Sequence, residues 1–195
     1  SLSKEGIAIY ILDNSSRSGS LVNLSHFIKY HNPGSNLGLG KGLLLLGQNA
    51  AEDLYDYFVY FDQDTLINKS TIDFIKSFII NQADRYKSQY AVINFSDKPG
   101  NADQVIDTPL VINSGSLFFL ENLKKIGWHS PELHVEGVDY EICLRSALYG
   151  FKVGLLNATP GLDHQSEQPT TSIKIFGRRI SYRSYSSGRS KEIIK

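Results

Sequence analysis

Short apolar runs, each closed by acids or turn formers, recur along the chain. The most apolar is Tyr57-Phe58-Val59-Tyr60-Phe61, which meets Asp62-Gln63-Asp64-Thr65 directly. A run without polar alternation is the pattern of a strand buried on both faces, typical of parallel sheets. Residues 7–12 form a second such run and end in the turn formers Asp13-Asn14-Ser15-Ser16. Residues 89–95 and 151–156 read as two more strands. Residues 110–119 read as a strand interrupted by the small residues Ser114-Gly115-Ser116, where a ligand or a tight turn brings backbone close.

Between these runs the apolar spacing turns helical. Ile72, Ile75, Phe78 and Ile79 share one face and predict a helix over 72–85, with Ser70 or Thr71 as its cap. Residues 43–51 predict a second helix. Residues 120–126 predict a third, closed by Gly127 as C-cap. Residues 142–149, ended by Gly150, predict a fourth, and residues 21–30 carry a weak helical period that predicts two or three turns. Strands alternating with helices make the class α/β.

With 195 residues the chain suffices for one sizeable domain. Residues 1–165 read as the core and 166–195 as a tail rich in Ser, Arg and Lys, with a strongly positive charge against a formally neutral whole. That tail is expected to be disordered, to lie on anionic lipid as a peripheral membrane contact, or to close over a phosphorylated ligand. The overall balance of 20 basic and 20 acidic side chains gives no footprint for nucleic acid. One cysteine, Cys143, excludes an internal disulfide framework and fits a reducing, cytoplasmic setting. No apolar run approaches the about 20 residues that span a bilayer.

Candidate chemistry gathers at the ends of the strands, where open α/β sheets bind ligands. If the backbone stays extended, Asp62 and Asp64 point to one side and suit a hard divalent cation such as Mg²⁺ or Mn²⁺, which keeps its waters and takes substrate phosphates. The same composition also makes an ordinary polar turn. Ser35-Asn36-Leu37-Gly38-Leu39-Gly40-Lys41-Gly42 places glycines before a helix start whose N–H groups suit an anion. It lacks the P-loop ending and the dinucleotide spacing. Glu136, Asp139 and Glu141 lead into a helix, where the dipole favours acids. Glu136 shares a face with Asp139 if that turn is helical. His164 follows Asp163 after a Pro-Gly turn.

In order along the chain these stretches resemble the inverting family-two glycosyltransferases of GT-A fold, most of all bacterial rhamnosyltransferases. The matching pieces include Leu12-Asp13-Asn14, Asn36-Leu37-Gly38, Phe61-Asp62-Gln63-Asp64-Thr65, Asn113-Ser114-Gly115, Lys125-Ile126-Gly127 and Val138-Asp139-Tyr140-Glu141-Ile142-Cys143-Leu144-Arg145. The resemblance implies a mostly parallel, Rossmann-like sheet flanked by helices, with the family's first strand missing from this sequence. It implies a nucleobase contact at Asp13 and a nucleotide loop at Asn36, Gly38 and Lys41. Asp62 and Asp64 would bind ribose and metal, and His164 would be a further metal or phosphate ligand. Asn113, Ser114 and Gly115 would line the donor sugar. Asp139 would be the base, with Glu141 supporting it or holding the acceptor and Glu136 as the alternative base. Arg183 and Arg189 would reach the leaving diphosphate. The implied donor is a dTDP- or UDP-linked sugar, rhamnose by resemblance alone. The implied acceptor is a glycan or lipid-linked hydroxyl in cell-surface polysaccharide synthesis. Two alternatives remain: a haloacid-dehalogenase-type phosphatase, whose strand-Asp-x-Asp-x-Thr signature residues 61–65 also satisfy, and a non-catalytic nucleotide-sugar-binding remnant.

Overall fold

The structure is a computed structural model that describes residues 7–16, 28–164, 171–175 and 178–182. Its centre is a five-stranded sheet in the order β3 (Tyr57–Tyr60), β7 (Ser116–Phe119), β5 (Tyr90–Phe95), β8 (Lys152–Leu156), β6 (Ile106–Asp107). Of its four pairings only β5 with β8 is parallel. The sheet is therefore mixed, not mostly parallel. The apolar run that suggested a parallel strand is half-buried along its length, and β3 lies antiparallel to β7. Apolar continuity reports burial on both faces and carries no information about strand direction.

Side-chain alternation across β7 divides the core. Leu117 and Phe119 face one layer with Ile75, Phe78 and Leu156. Phe118 faces the other with Leu123, Ile126 and Ile142. The first layer is closed by α2 (Lys69–Asn81) and the short α3 (Ala83–Tyr86). The second is closed by α1 (Leu39–Glu52), α4 (Leu120–Ile126) and α5 (Val138–Leu148). The single predicted 72–85 helix is thus two, and its cap is Asn68, whose side chain accepts from the Thr71 amide at 3.1 Å in a capping box.

Two further strands lie beside this sheet. β1 (Ile9–Leu12) pairs in parallel with β2 (Ile28–His31). The helix expected over 21–30 is a strand where it is described, from residue 28 on. α1 packs on both β1 and β3. Among the described residues no strand pairs with the outer edge of β3 or the far edge of β1. Two small ladders complete the chain. β4 (Thr65–Leu66) pairs with β9 (Asp163–His164), and β10 (Thr171–Ile175) forms a hairpin with β11 (Arg178–Tyr182). Part of the basic tail is therefore a β-ladder. No described helix is long and apolar enough to cross a membrane.

The second layer hides a histidine. His129 is fully buried, edge-on to Phe118 at 5.0 Å between ring centres. Neither of its ring nitrogens has a hydrogen-bond partner among the described residues. Burial, aided by the nearby Arg145 charge, lowers its pKa from 6.5 to about 3. An unfolded chain takes up a proton near pH 6.5 that the folded one refuses until about pH 3. Stability from this group is complete above that window and is lost as pH falls through it, with a slope of up to about 1.4 kcal/mol per pH unit. Urea midpoints measured from neutral to acid pH should fall less steeply for His129→Leu than for the parent; equal slopes would contradict this assignment.

Candidate active site at the carboxyl edge of the sheet

β3, β5 and β8 end at the same edge of the sheet, where the antiparallel β7 begins. Everything loaded onto that edge therefore meets. Asp62 follows β3 and opens a turn in which the Thr65 amide donates to the Asp62 carbonyl at 3.1 Å. The backbone is turned here, not extended, so the expected i, i+2 projection of Asp62 and Asp64 from one strand face does not apply. Asp62 is half-buried and Asp64 is exposed in the turn.

Opposite stands a second turn. The Ser116 amide donates to the Asn113 carbonyl at 3.0 Å, with Gly115 at φ 75°. A side chain on Gly115 would be strained and would meet the Phe95 carbonyl at 3.1 Å. The small-residue step is thus a tight turn pressed against β5. Ser114 joins the two turns: the Asp62 amide donates to Ser114 Oγ at 3.1 Å, and Ser114 Oγ lies 2.7 Å from Thr65 Oγ1. Asn113 joins them to α5, because its amide donates to Asp139 Oδ1 at 2.8 Å. The Asn113 side-chain nitrogen is buried without a partner among the described residues.

Tyr60 completes the group. Its phenol donates to Asp62 Oδ1 at 2.6 Å. Burial, then the charges of Asp62, Asp139 and Asp64, push its pKa well above the usual phenol value. Of these three carboxylates, Asp62 is the one bonded to the hydroxyl. Sequence reasoning missed Tyr60 because an aromatic residue inside an apolar run reads as core. Its place two residues before Asp62, on the same side of the strand, was the available signal.

The other acids divide. Glu141 is held by Arg145 through Nε at 2.5 Å and Nη2 at 2.8 Å. The same guanidinium takes the carbonyls of Ile126 and Trp128, which ties α5 to the end of α4. Glu136 precedes Gly137, which is left-handed at φ 81°, so it lies outside α5 and shares no helical face with Asp139.

The glycine segment is occupied differently from the expectation. The Leu39 amide donates to the His134 carbonyl and the Gly40 amide to the Leu133 carbonyl, the latter at 3.2 Å. The Gly38 amide donates to Asn36 Oδ1 at 2.8 Å. These amides at the start of α1 are not free for an anion. The close approach that the glycines permit is made by protein backbone: a Cβ on Gly40 would collide with the carbonyls of Ser130 and Leu133. Gly→Ala inside a helix ordinarily stabilises by about 1 kcal/mol. Gly40→Ala should instead destabilise by about 1–3 kcal/mol through overpacking. Chemical denaturation checks the sign.

Asp13 lies beyond this segment. Hydrogen bonds from the Tyr30 phenol and the Ser15 amide hold its carboxyl well below the usual carboxylate range. Asn14 Oδ1 accepts from the Leu37 amide at 3.1 Å, so the Asp13 and Asn36 loops are one unit. Lys41 is exposed in the first turn of α1.

Among the described residues no three His, Cys, Asp or Glu side chains group to hold a metal ion. Asp62 and Asp64 are two carboxylates on one turn, the ligand type that a hard divalent cation takes together with phosphate and water oxygens. The β4–β9 register sets His164 opposite Thr65, one residue from Asp64. Arg183 and Arg189 lie outside the described residues.

No family model matches the chain. It is 26% identical over 164 residues to the dTDP-rhamnosyl transferase RfbF of Shigella flexneri, a match covering 75% of this chain and 54% of that protein. The chain thus spans about half the length of the curated relative. In fold it is similar to S. aureus TarS 1-349, with TM-score 0.56, 17% identity and coverage of 82% of this chain and 51% of that one. It is also similar to the same protein in complex with UDP-GlcNAc, with TM-score 0.55, 18% identity, and 87% and 54% coverage. In sequence and in fold, the chain is therefore similar to glycosyltransferases of GT-A-like fold.

Proposed function

We propose that the chain transfers a sugar from a nucleoside-diphosphate donor to an acceptor hydroxyl, with inversion at the sugar carbon. One observation carries this reading: the Asp62–Thr65 turn and the start of α5 with Asp139 meet on the Asn113–Ser116 turn. An acid fit to hold a cation and an acid fit to take a proton thereby share one edge of the sheet. The relative is named for dTDP-rhamnose and a fold neighbour holds UDP-GlcNAc, which supports a dTDP- or UDP-linked donor.

Asp62 and Asp64 would hold Mg²⁺ or Mn²⁺ against the donor diphosphate, where it would offset charge on the leaving group. The backbone bonds around Ser114 and Thr65 fix Asp62 in advance, so little ordering remains on binding. Asn113, Ser114 and Gly115 would form the wall behind the sugar position, with the Asn113 side-chain nitrogen buried in it. Asp139 takes the acceptor proton as the new bond forms. Glu141, engaged by Arg145, positions α5. Asp13, Asn36, Gly38 and Lys41 form the nucleoside side of the site, with the exposed Lys41 ammonium the group there able to meet phosphate. The acceptor is a glycan or lipid-linked hydroxyl of a cell-surface polysaccharide pathway.

The test is calorimetric titration with dTDP and UDP, with and without Mn²⁺ or Mg²⁺, followed by turnover assays with the matching nucleotide sugars. Metal-enhanced binding and transfer with inversion are expected. Binding with no turnover toward any nucleotide sugar would leave only a binding protein, and no binding at all would remove the donor site.

A further inference from the structure

Asp62 is held at its amide, its carbonyl and one carboxylate oxygen. Its amide donates to Ser114 Oγ at 3.1 Å, and its carbonyl accepts from the Thr65 amide at 3.1 Å. Its Oδ1 accepts from the Tyr60 phenol at 2.6 Å. Tyr60 in turn cannot drift: its carbonyl accepts from the Gly115 amide at 2.8 Å, and it stands opposite Ser116 in the β3–β7 ladder. A carboxylate whose first oxygen accepts from a fixed phenol is held in one orientation, and its second oxygen is the one with no such bond. The phenol proton is not shared further, since a hydroxyl has a single donor hydrogen.

We propose that Tyr60 is a positioning residue that keeps Asp62 a one-oxygen ligand and thereby selects which divalent cation the site accepts. The proposal rests on the reading of Asp62 and Asp64 as the cation pair of a nucleoside-diphosphate site. Mg²⁺ demands near-ideal octahedral geometry, whereas Ca²⁺ takes six to eight oxygens and accepts two from one carboxylate. A carboxylate pinned through one oxygen favours the first kind of ion. With the phenol gone, both oxygens of Asp62 can turn toward the ion, and Ca²⁺ gains. Partners that orient a ligand commonly change metal affinity by about 10- to 100-fold.

The experiment measures dTDP and UDP binding by calorimetry in Mg²⁺, Mn²⁺ and Ca²⁺ for the parent, Tyr60→Phe and Asp62→Asn, with thermal midpoints for each. The parent should bind nucleotide more tightly with Mg²⁺ or Mn²⁺ than with Ca²⁺. Tyr60→Phe should shrink that preference by roughly tenfold or more. A merely structural role would weaken binding in all three ions alike and leave the ratio unchanged, and that result overturns the proposal. Asp62→Asn, whose amide nitrogen can donate to the Tyr60 oxygen while its single oxygen meets the ion, should keep the Mg²⁺ preference at lower affinity; its loss there also overturns the proposal. A parent that discriminates no ion refutes the role of Tyr60 alone. A parent whose nucleotide binding ignores metal refutes the donor-site reading and this proposal with it.

Discussion

Asp139→Asn is expected to lower kcat for sugar transfer by about 10²- to 10⁴-fold, the usual contribution of a positioned base. The substitution is chosen for what it preserves. An asparagine oxygen still accepts from the Asn113 amide, as Asp139 Oδ1 does at 2.8 Å, so the joint between α5 and the Asn113–Ser116 turn survives. The carboxylate's charge and basicity are lost. Donor KM and nucleotide Kd should therefore change little while kcat collapses. Glu141→Gln is the control from the same helix. Its carboxylate is already engaged by Arg145, so the substitution should lower the thermal midpoint more than it lowers kcat. If Glu141→Gln abolished turnover and Asp139→Asn did not, the assignment of the base would be reversed.

The second large effect belongs to Asp64. Asp64→Ala should weaken metal-dependent nucleotide binding by about 10- to 150-fold, the worth of one charge-assisted contact of ~1.5–3 kcal/mol. Metal-independent binding should stay as it is. Asp64 is exposed in its turn, so its removal leaves no buried hole and folding stability should hold within about 0.5 kcal/mol. Calorimetry with and without Mn²⁺, paired with a denaturation curve, separates the two quantities. Equal losses with and without metal would show that Asp64 meets the nucleotide directly.

These two residues stand out in the sequence because the proposed chemistry sits where elements end. An acid after an apolar run is visible at any distance along the chain, and so are Gly127 as a C-cap and the acids at the start of α5. Gly127 is left-handed at φ 93°, and Asp139 and Glu141 fall in the first turn of α5. Local propensity and period 3.6 carry that information. The α/β alternation follows from the same signals.

Four features depended on which segments meet. Strand direction was one: continuous burial makes β3 apolar, and only its pairing with β7 makes it antiparallel. The glycines before α1 were another. A glycine announces that something comes close, but only the packed chain reveals that the Ser130 and Leu133 carbonyls, not a ligand, fill the space at Gly40. Residue 28 onward reads as helix locally and becomes a strand because β1 offers it an edge. Tyr60 is the clearest case. By itself it is one more aromatic residue in an apolar run; its bond to Asp62 is local, but the influence of Asp139, distant in sequence, on its hydroxyl depends on the tertiary fold. The sequence by itself determined the residue types, the main strands and helices of the central layers and the acids at the strand end and helix start, since these follow from local periodicity and capping. The tertiary structure decided the pairing partners, the occupant of each close approach and the grouping of the carboxylates, because long-range contacts are set by packing of the whole core rather than by any one segment.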